Sequence, residues 1–501
     1  MTVIRIDNER DGATMQKGLS TDPFDDDHLK EECGVFGIWG DGDASRHTAL
    51  GLHALQHRGQ EAAGIVSYDG EQFHAHRDLG EVGEIFSSEA VMTRLKGKAA
   101  IGHNRYSTAG GTLLRNVQPL FADLALGGFC LAHNGNLTNA NTLRRELVER
   151  GAIFQSTSDT EVIVHLIALA QGKTVLERLT EALRQIEGAY SLVCLTDDCV
   201  IGVRDPLGVR PLVIGRHASS HIVTSETCAL DIIGADFLRD VEPGEMVVLD
   251  ASGVHSLRPF PVTARRFCVF EHIYFARPDS QIGGRSVYTS RKQIGVELAR
   301  ESGVPADVVI PVPDSGVPAA LGYSQASGIP FELGIIRNHY VGRTFIEPGQ
   351  HIRNLGVRLK HNANKAMIDG KRIILVDDSI VRGTTSIKIV EMVRAAGAKE
   401  VHMRIAAPPT THSCFYGIDT PAREELLASR MNVEEMGKHI GVDSLAFIST
   451  DGLYRAMGFE HRDPAVPQFC DACFTGDYPT RLTDREVGAN EKQLSLLSRF
   501  A

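Results

Sequence analysis

Residues 373–386 read Ile373-Ile-Leu-Val-Asp-Asp-Ser-Ile-Val-Arg-Gly-Thr-Thr-Ser386, and this stretch decides the fold of the second half of the chain. Its leading apolar residues predict a buried strand over Arg372–Val376, which is followed by the adjacent carboxylates Asp377 and Asp378. A short loop containing Gly383 follows, and a helix is predicted over Ser386–Ala396. A strand that leads through a polar loop into a helix is the unit of parallel α/β folds, in which ligands bind beyond the carboxyl ends of the strands.

The loop after this strand has the chemistry of an anion site. Backbone amides of Gly383, Thr384 and Thr385 would point at one anion at the start of the helix, and the threonine hydroxyls add donors. Asp377 and Asp378 do not favour a phosphate by charge, but they suit a ribose diol, a Mg2+ ion, or both. The alternative is an ordinary strand-to-helix turn with capping threonines. Paired aspartates before Gly-Thr-Thr are hard to explain by capping, and this favours the anion site.

The neighbouring segments continue the same alternation of strands and helices. Ala306–Val312 is a predicted strand, followed by a loop at residues 314–316 and then a helix. Val401–Ala406 is a further predicted strand after the helix that follows the anion loop. Apolar strands that alternate with helices predict a parallel sheet with both faces covered.

The first half of the chain has a different pattern. Cys33–Ile38 and Ala189–Leu195 are predicted strands, and many short strand-like runs separated by turns lie between and after them. Helices are predicted near Ala140–Arg150 and Thr160–Ala170. This half is therefore predicted to be an α+β domain with antiparallel sheets and helical layers.

Three segments of the second half resemble type I phosphoribosyltransferases, which bind phosphoribosyl pyrophosphate (PRPP). Residues 373–386 resemble the PRPP motif of that family. Pro311-Val-Pro-Asp-Ser-Gly316 is similar to its second substrate loop, and Arg337-Asn-His-Tyr-Val-Gly-Arg-Thr344 to the flexible loop that closes over PRPP. The resemblance implies that Ser315 joins the two aspartates at the Mg2+ site. It implies the following PRPP-binding residues: Asp377, Asp378, Gly383, Thr384, Thr385, Tyr340 and Arg343.

Cys33 opens the folded part of the chain, in Glu31-Glu-Cys-Gly-Val-Phe-Gly-Ile38. Taken alone, a cysteine that starts a strand is more often a buried small apolar residue. Downstream, however, come Gly102-His-Asn-Arg-Tyr-Ser-Thr-Ala-Gly110, His133-Asn-Gly-Asn-Leu137 and Ser156-Thr-Ser-Asp-Thr-Glu161. Together with Cys33 these motifs resemble the class II glutamine amidotransferases, whose nucleophile is the N-terminal residue.

The resemblance implies a role for each motif in amide hydrolysis, which needs a thiolate, an oxyanion hole and a grip on the amino acid. Cys33 is the implied nucleophile. The side-chain amide of Asn134 and the backbone N–H of Gly135 suit the oxyanion. Arg105 can hold the glutamine carboxylate in a bidentate pair, and Asp159 can pair with its ammonium group.

The base for Cys33 is predicted to be its own α-amino group, because such a group has a pKa of about 7.7–8.0. This requires that residues 1–32 are removed as a propeptide, as in some members of the family; the alternative is a harmless disordered terminus. His57 and Arg58 lie in a further motif of the same resemblance. They are interpreted as structural or site-forming, since no chemical step requires them.

Four cysteines are candidates for a metal centre. Cys470 and Cys473 are separated by two residues, a spacing that can bind Zn2+ or an iron-sulfur cluster, but two ligands complete neither site. The two domain types, in this order, resemble the amidophosphoribosyltransferase family, and some members of that family hold a [4Fe-4S] cluster; the resemblance implies Cys268, Cys414 and this pair as its ligands. By spacing alone, four thiolates fit Zn2+ equally well, so Zn2+ remains the alternative.

The other polar and sulfur-containing candidates are assigned to ordinary roles. His272 and His412 are alternative ligands near the cysteines, but they are interpreted as ordinary polar residues. The remaining cysteines are predicted to be core residues: Cys130, Cys194, Cys199 and Cys228.

Composition excludes several classes of protein. The chain has 501 residues and a formal net charge of -11, so it has no global basic bias toward nucleic acid. It contains no apolar run long enough to span a membrane and no apolar stretch of a secretory signal, and a cytoplasmic location is expected. Nine cysteines in such a chain do not indicate a disulfide framework.

The two domain types, in this order, resemble the amidophosphoribosyltransferase family. The resemblance implies synthesis of 5-phosphoribosylamine from PRPP and glutamine, inhibition by purine nucleotides, and a homo-oligomer. The predicted divisions are a propeptide at 1–32, a glutaminase domain at 33–262, a phosphoribosyltransferase domain at 263–480 and a tail at 481–501. Two other functions remain open. One is a class II enzyme that aminates a sugar phosphate, and the other is a PRPP-sensing regulator that binds nucleic acid.

Overall fold

The structure is a computed structural model that describes residues 30–31, 33–106, 113–338 and 361–486. Tyr340 and Arg343, predicted to bind PRPP, lie outside these residues, as does most of the predicted propeptide. Within the described residues, no helix is both long and apolar enough to cross a membrane.

The second half contains the predicted parallel sheet. Its strands are, in spatial order, Val308–Pro311, Arg372–Asp377, Glu400–Ile405 and Ser444–Phe447. Five consecutive residues of Arg372–Asp377 are buried, which shows that both faces of the sheet are covered. The larger helices of this domain are Val287–Ser302, Val317–Ser327, Thr384–Ala395, Val433–Ile440 and Thr450–Ala456.

The first half is built on two antiparallel sheets that face each other. The seven-stranded sheet has the spatial order Asp236–Asp240, Val213–His217, Ser220–Thr224, Gly34–Trp39, Ala99–Arg105, Ala62–Tyr68 and Phe73–Leu79. The six-stranded sheet has the order Gly253–Leu257, Met246–Asp250, Val200–Arg204, Gly188–Leu195, Gly127–Leu137 and Leu120–Leu124. Apolar side chains from both sheets, such as Val35 and Val193, form one core between them.

Helices cover the outer face of each antiparallel sheet. Ala44–Ala54 packs on the seven-stranded sheet through Leu52, together with Leu55, which directly follows the helix. The six-stranded sheet is covered by Ala140–Glu149, Thr160–Leu169 and Val175–Leu183. The predicted antiparallel α+β domain followed by a parallel α/β domain is therefore confirmed.

Shorter elements connect these layers. The remaining helices are Val82–Ile85, Glu89–Arg94, Cys228–Asp231, Lys365–Ile368, Leu427–Arg430, Ala472–Thr475 and Thr483–Glu486. Single turns of other helix types are Gln56–Arg58, Leu114–Asn116, Glu271–Phe275 and Arg423–Glu425. The short strands are Lys30–Glu31 with Ile418–Asp419, Phe267–Cys268 with Phe469–Cys470, Gln281–Ile282 with Arg285–Ser286, and Ile335–Arg337 with His361–Ala363.

Both ends of the described chain are more ordered than the sequence predicts. Lys30–Glu31, the end of the predicted propeptide, forms an antiparallel pair with Ile418–Asp419 of the second domain. At the other end, Asp484 lies in the segment predicted to be a tail. Its carboxylate accepts hydrogen bonds from the backbone N–H groups of Asn141 and Thr142 at 2.8 and 2.9 Å. The tail thus begins with a turn of helix that caps a helix of the first domain.

A fully buried network of charges joins the two domains. The Arg58 guanidinium donates to Glu226 and, at 2.6 Å, to Glu271. Arg210 donates to the second Glu271 oxygen at 3.1 Å. Burial alone would raise the pKa of Glu271, but Arg58 and Arg210 hold it below its ordinary value. His57, the residue before Arg58, is also hydrogen-bonded to Glu226: its Nε2 atom lies 2.7 Å from Glu226 Oε1. His57 and Arg58, interpreted from the sequence as structural or site-forming, thus take part in the contact between the domains.

Glu271→Gln is expected to lower the free energy of unfolding by about 3–5 kcal/mol, because it removes the buried carboxylate charge with which both Arg58 and Arg210 pair. Urea denaturation of the purified protein measures this. Glu434→Gln is the matched control, since Glu434 pairs with Lys438 on an exposed helix face and such pairs contribute less than about 1 kcal/mol. Equal effects of the two substitutions would contradict a role for Glu271 at the domain junction.

Candidate active sites

The paired carboxylates lie where the sequence predicts, at the carboxyl end of strand Arg372–Asp377. Asp377 and Asp378 are both 1% exposed. The Asp378 backbone N–H donates to Asp377 Oδ1 at 2.9 Å, and Ser379 Oγ donates to Asp378 Oδ2 at 2.7 Å. These contacts fix both side chains at the edge of the parallel sheet. Oxygen donors of this kind are the ligands that Mg2+ prefers.

The predicted anion loop leads directly into helix Thr384–Ala395, two residues earlier than the sequence predicts. Gly383 precedes the helix with φ +84°, in the left-handed region that favours glycine. A Cβ at this position would also lie 2.7 Å from Leu427 Cδ2. The first amides of a helix point out along its axis, so Thr384 and Thr385 present donors beside the aspartates.

The Ser315 loop is packed against the same strand end. Pro311 pairs with Val376 in the parallel sheet, and the Val312 N–H donates to the Val376 oxygen at 2.8 Å. A Cβ on Gly316 would lie only 2.5 Å from that oxygen, so the loop requires glycine here for close approach. The structure therefore brings Ser315, which is partly exposed, to the edge that carries Asp377.

Arg337, the first residue of the segment that resembles a closing loop, lies beside the Ser315 loop. Its Nη1 atom donates to Asp314 Oδ2 at 2.6 Å. The described chain then stops at Asn338 and resumes at His361. The beginning of this segment is therefore at the edge that carries the aspartates.

Cys33 stands at the start of the central strand of the seven-stranded sheet. Gly34 pairs with Asn104, so the register places Cys33 opposite Arg105. The Cys33 side chain is buried, and its Sγ lies 4.0 Å from the Tyr106 carbonyl oxygen. Its φ of +59° is in the left-handed region, which is costly for a residue with a Cβ.

Asn134 and Gly135 lie in the strand Gly127–Leu137 of the facing sheet. The Asn134 side chain is fully buried, and among the described residues neither its Nδ2 nor its Oδ1 has a hydrogen-bond partner. A buried amide without partners costs about 1–3 kcal/mol, which a bound ligand would offset. Gly135 has φ +144°, and a Cβ there would lie 2.1 Å from the Ala189 oxygen. This position therefore requires glycine.

A short chain of hydrogen bonds connects Arg105 to the segment that carries Asp159. The buried Arg105 donates from Nη1 to the Asn116 oxygen at 3.1 Å, and Asn116 Oδ1 accepts from the Thr157 N–H at 3.0 Å. Two residues later, Asp159 Oδ2 accepts from the Leu137 N–H at 3.1 Å. The two residues predicted to hold the ends of glutamine thus lie on connected segments.

A cavity of about 210 Å³ borders Asp159 at the junction of the two domains. It is lined by residues of the first domain together with Phe415 and Arg485. Asn136, one residue beyond Gly135, donates from Nδ2 to the Phe415 oxygen at 3.0 Å. The strand that carries the predicted oxyanion hole therefore contacts the second domain directly.

The four candidate metal cysteines lie on segments from the beginning, the middle and the end of the second domain, and these segments contact one another. Cys268 and Cys470 are direct partners in a two-residue parallel pair. The Cys473 oxygen accepts from the N–H groups of Thr411 and His412, both at 3.0 Å, and this holds the segment that contains Cys414. Burial raises the pKa of Cys473 well above its ordinary value, and the three neighbouring thiols raise it further.

Models of two protein families match the two halves of the chain. The glutamine amidotransferase domain model matches residues 103–231, which include Arg105, Asn134 and Asp159. The phosphoribosyl transferase domain model matches residues 297–413, which include the paired aspartates.

Similarity to single relatives extends over nearly the whole chain. The amidophosphoribosyltransferase of Rhizobium etli is 59% identical over 483 residues, which cover 95% of this chain and 97% of the relative. This chain belongs to the amidophosphoribosyltransferase family. The amidophosphoribosyltransferase of Bacillus subtilis is 50% identical over 469 residues, or 93% of this chain and 98% of that relative.

A solved amidophosphoribosyltransferase structure has the same architecture. It is the B. subtilis glutamine PRPP amidotransferase complexed with ADP and GMP, and it matches with a TM-score of 0.85 at 50% identity. The match covers 90% of this chain and 98% of that chain. Family membership excludes the sugar-phosphate aminating enzyme and the nucleic-acid-binding regulator that the sequence left open.

Two residues at the contact between the domains, Asn136 and Asp484, were not predicted from the sequence. Asn136 directly follows the predicted oxyanion-hole residues Asn134 and Gly135, but its partner Phe415 is 279 residues away in the chain. Asp484 contacts Thr142 across 342 residues. One sequence contains no periodic pattern that could pair residues so far apart. Both became visible only when the two domains were seen in contact.

Proposed function

We propose that this chain converts PRPP, glutamine and water into 5-phosphoribosylamine, pyrophosphate and glutamate, the first committed step of purine synthesis. The observation that carries the proposal is the presence of two complementary sites in one chain, on two domains that contact each other. A cysteine and a buried unpaired amide, Cys33 and Asn134, lie in the first domain. The aspartate pair and its anion loop lie in the second, and Asn136 joins the domains through Phe415.

In the first site, the Cys33 thiolate attacks the side-chain amide carbon of glutamine. The negative charge that develops on the amide oxygen is stabilised by Asn134 Nδ2 and the Gly135 N–H. The C–N bond breaks, the Cys33 α-amino group returns the thiol proton to the leaving nitrogen, and ammonia departs. Water then hydrolyses the glutamyl thioester to glutamate. Arg105 and Asp159 hold the substrate carboxylate and ammonium throughout.

Ammonia from the first site passes through the protein to the second site. There it attacks C1 of PRPP and displaces pyrophosphate. The N–H groups of Gly383, Thr384 and Thr385 hold a phosphate of PRPP, while the aspartates bind the ribose diol. Asp377, Asp378 and Ser315 would hold Mg2+, which neutralises charge on the leaving pyrophosphate. Tyr340 and Arg343, which lie outside the described residues, are also proposed to bind PRPP; exclusion of water from the site protects C1 from hydrolysis.

The proposed reaction is tested by its stoichiometry. Glutamate and pyrophosphate should appear in equal amounts, and neither should accumulate at the full rate unless PRPP and glutamine are both present. Fructose 6-phosphate in place of PRPP serves as the control for sugar amination. Glutamate release that depends on the hexose phosphate and not on PRPP would contradict the proposal.

The mature protein is expected to begin at Cys33. Cleavage before Cys33 creates the α-amino base, and it removes the φ angle that is strained at +59°. Intact-mass measurement and N-terminal sequencing of active enzyme check this. Active enzyme that retains residues 1–32 would contradict both the cleavage and the choice of base.

Support for a [4Fe-4S] cluster comes from the spacing of the cysteines. Zinc bonds of about 2.3 Å would place four sulfurs only about 3.8 Å apart. Among the described residues, no three of the four cysteine sulfurs lie within 4.8 Å of one another. In a [4Fe-4S] cluster each thiolate binds a different iron, so the four sulfurs can lie farther apart than they do around a single Zn2+ ion. The residues that would hold it are Cys268, Cys414, Cys470 and Cys473.

Anaerobically purified protein should be brown and contain about four iron and four sulfide per chain. Cys414→Ser is expected to lose most of the iron and to lower thermal stability, because the cluster ties together residues far apart in sequence. Cys199→Ser is the matched control, since Cys199 lies in the first domain beside Thr196. Colourless protein with one zinc and no sulfide would replace the cluster by a zinc site.

Regulation by purine nucleotides is proposed as well, because the solved B. subtilis relative is complexed with ADP and GMP. The homo-oligomer and the domain boundaries predicted from the sequence remain predictions.

A further inference from the structure

Three side chains that no step above uses meet at the edge of the first domain. Asp41 follows the strand Gly34–Trp39, His47 lies in the first turn of helix Ala44–Ala54, and His217 ends the strand Val213–His217. A hydrogen bond of 3.0 Å from Ser220 Oγ to the Gly40 oxygen holds the adjoining backbone segments together. The group is therefore positioned by a strand end, a helix start and a hairpin.

The three side chains converge on one carboxylate oxygen. His47 Nδ1 and His217 Nδ1 each lie 3.2 Å from Asp41 Oδ2. The centroids of the two imidazole rings are 4.7 Å apart, and the ring planes lie at 71° to each other. In the part of the chain that the structure describes, this is the one group of three ligating His, Cys, Asp or Glu atoms that all lie within 4.8 Å.

A purely hydrogen-bonded cluster explains only part of this geometry. His217 Nδ1 is within hydrogen-bond geometry of Asp41 Oδ2, but His47 Nδ1 is not, despite the same distance. Among the described residues, His47 Nδ1 is a buried atom without a hydrogen-bond partner. A lone pair left in this state costs free energy unless something binds it.

The Asp41 carboxylate is prepared to act as a ligand. Its other oxygen, Oδ1, accepts from the Asp43 N–H at 2.8 Å, and this orients Oδ2 toward the histidines. The protein's own backbone therefore holds the carboxylate in a position to bind a cation.

We propose that Asp41, His47 and His217 form a binding site for a divalent transition-metal ion. Two imidazoles and one carboxylate suit Zn2+, Ni2+, Co2+ or Cu2+, whereas Mg2+ prefers oxygen ligands alone. Ligand bonds of about 2.0–2.2 Å at tetrahedral angles place donor atoms roughly 3.3–3.6 Å apart, close to the spacing around Asp41 Oδ2. Three protein ligands leave one position for water.

The site is separate from both proposed reactions. Cys33 precedes the strand that ends at Trp39, and six strand residues span about 20 Å. A metal ion here would crosslink three elements of the first domain and stabilise its fold by mass action, without contact to the nucleophile. Glutaminase turnover at saturating substrate is therefore expected to stay unchanged when the site is filled.

Metal binding to the mature enzyme, which is expected to begin at Cys33, tests the proposal. The proposed cluster is kept in place so that the four cysteines are occupied. Co2+ is the spectroscopic probe, because ligation by nitrogen and oxygen lacks the intense charge-transfer bands of cobalt thiolates. Zn2+ titration by calorimetry gives the stoichiometry and affinity. The wild type should bind one ion per chain at this site, and its thermal midpoint should rise as Zn2+ is added.

His47→Gln and His217→Gln should each weaken Zn2+ binding at least tenfold and remove the thermal shift. His221→Gln is the matched control, because His221 lies on the adjacent strand outside the group. Asp41→Asn provides a second, nearly isosteric test should a histidine variant fold poorly. Unchanged Zn2+ affinity in the His47, His217 and Asp41 variants would overturn the proposal. A wild type that binds no Zn2+ outside the four cysteines would overturn it as well.

Discussion

Cys33→Ala is expected to lower glutamine-dependent synthesis by more than about 10³-fold while ammonia-dependent synthesis stays within about twofold of the wild type. The thiol is the only nucleophile proposed for the glutamine amide. The aspartate pair that binds PRPP lies in the other domain, on the parallel sheet. Alanine also removes a single sulfur from a tightly packed strand start, so the fold should survive.

Pyrophosphate release from PRPP, measured with glutamine and with ammonium salts, checks this expectation. Cys199→Ala is a matched control because it deletes the same atom elsewhere in the same domain, where Cys199 Sγ contacts Thr196 Oγ1. The control should leave both activities unchanged. If Cys33→Ala lost both activities equally, the division of the two reactions between two domains would be wrong.

Asp377→Asn is expected to remove synthesis with either nitrogen donor, by about 10²-fold or more, because it deletes a charge at the proposed ribose and Mg2+ site. Asparagine has nearly the shape of aspartate, so the buried packing is kept. Asp378→Asn should behave in the same way. Both residues lie at the carboxyl end of one strand, 1% exposed.

Steady-state kinetics with varied PRPP and varied Mg2+ separate loss of binding from loss of turnover. Asp307→Asn is the matched control, because Asp307 lies before the first strand of the same sheet in an exposed pair with Arg372. Unchanged PRPP affinity and turnover in both the Asp377 and Asp378 variants would mean that the anion loop has been misinterpreted.

The local parts of the fold and of both sites could be predicted from the sequence. A run of buried apolar residues predicted the strand Arg372–Asp377, and the structure extends it by one residue. Gly383 and the threonines after it marked the helix start to within two residues. Such features depend on neighbours in the chain, so one sequence contains the information that determines them.

Contacts between distant segments could not be predicted. Arg58 and Glu271 form a buried ion pair across 213 residues, and Asn136 reaches Phe415 across 279. The segment from residue 481 was predicted to be a tail, yet Asp484 caps a helix of the first domain. Each of these contacts follows from how two domains pack, and packing leaves no periodic signal in the residues themselves. The group of Asp41, His47 and His217 lies within the first domain, but His217 reaches Asp41 across 176 residues, and the sequence contains no signal for this contact either.

The most direct test of two reactions in series is pyrophosphate release from PRPP with glutamine and with ammonia, measured side by side. The assay compares the wild type, Cys33→Ala and Asp377→Asn under identical conditions. The expected result is activity with both donors in the wild type, with ammonia alone in Cys33→Ala, and with neither donor in Asp377→Asn. Glutamine-dependent pyrophosphate release that persists in Cys33→Ala, or synthesis with ammonia that persists in Asp377→Asn, would contradict the assignment of the two sites.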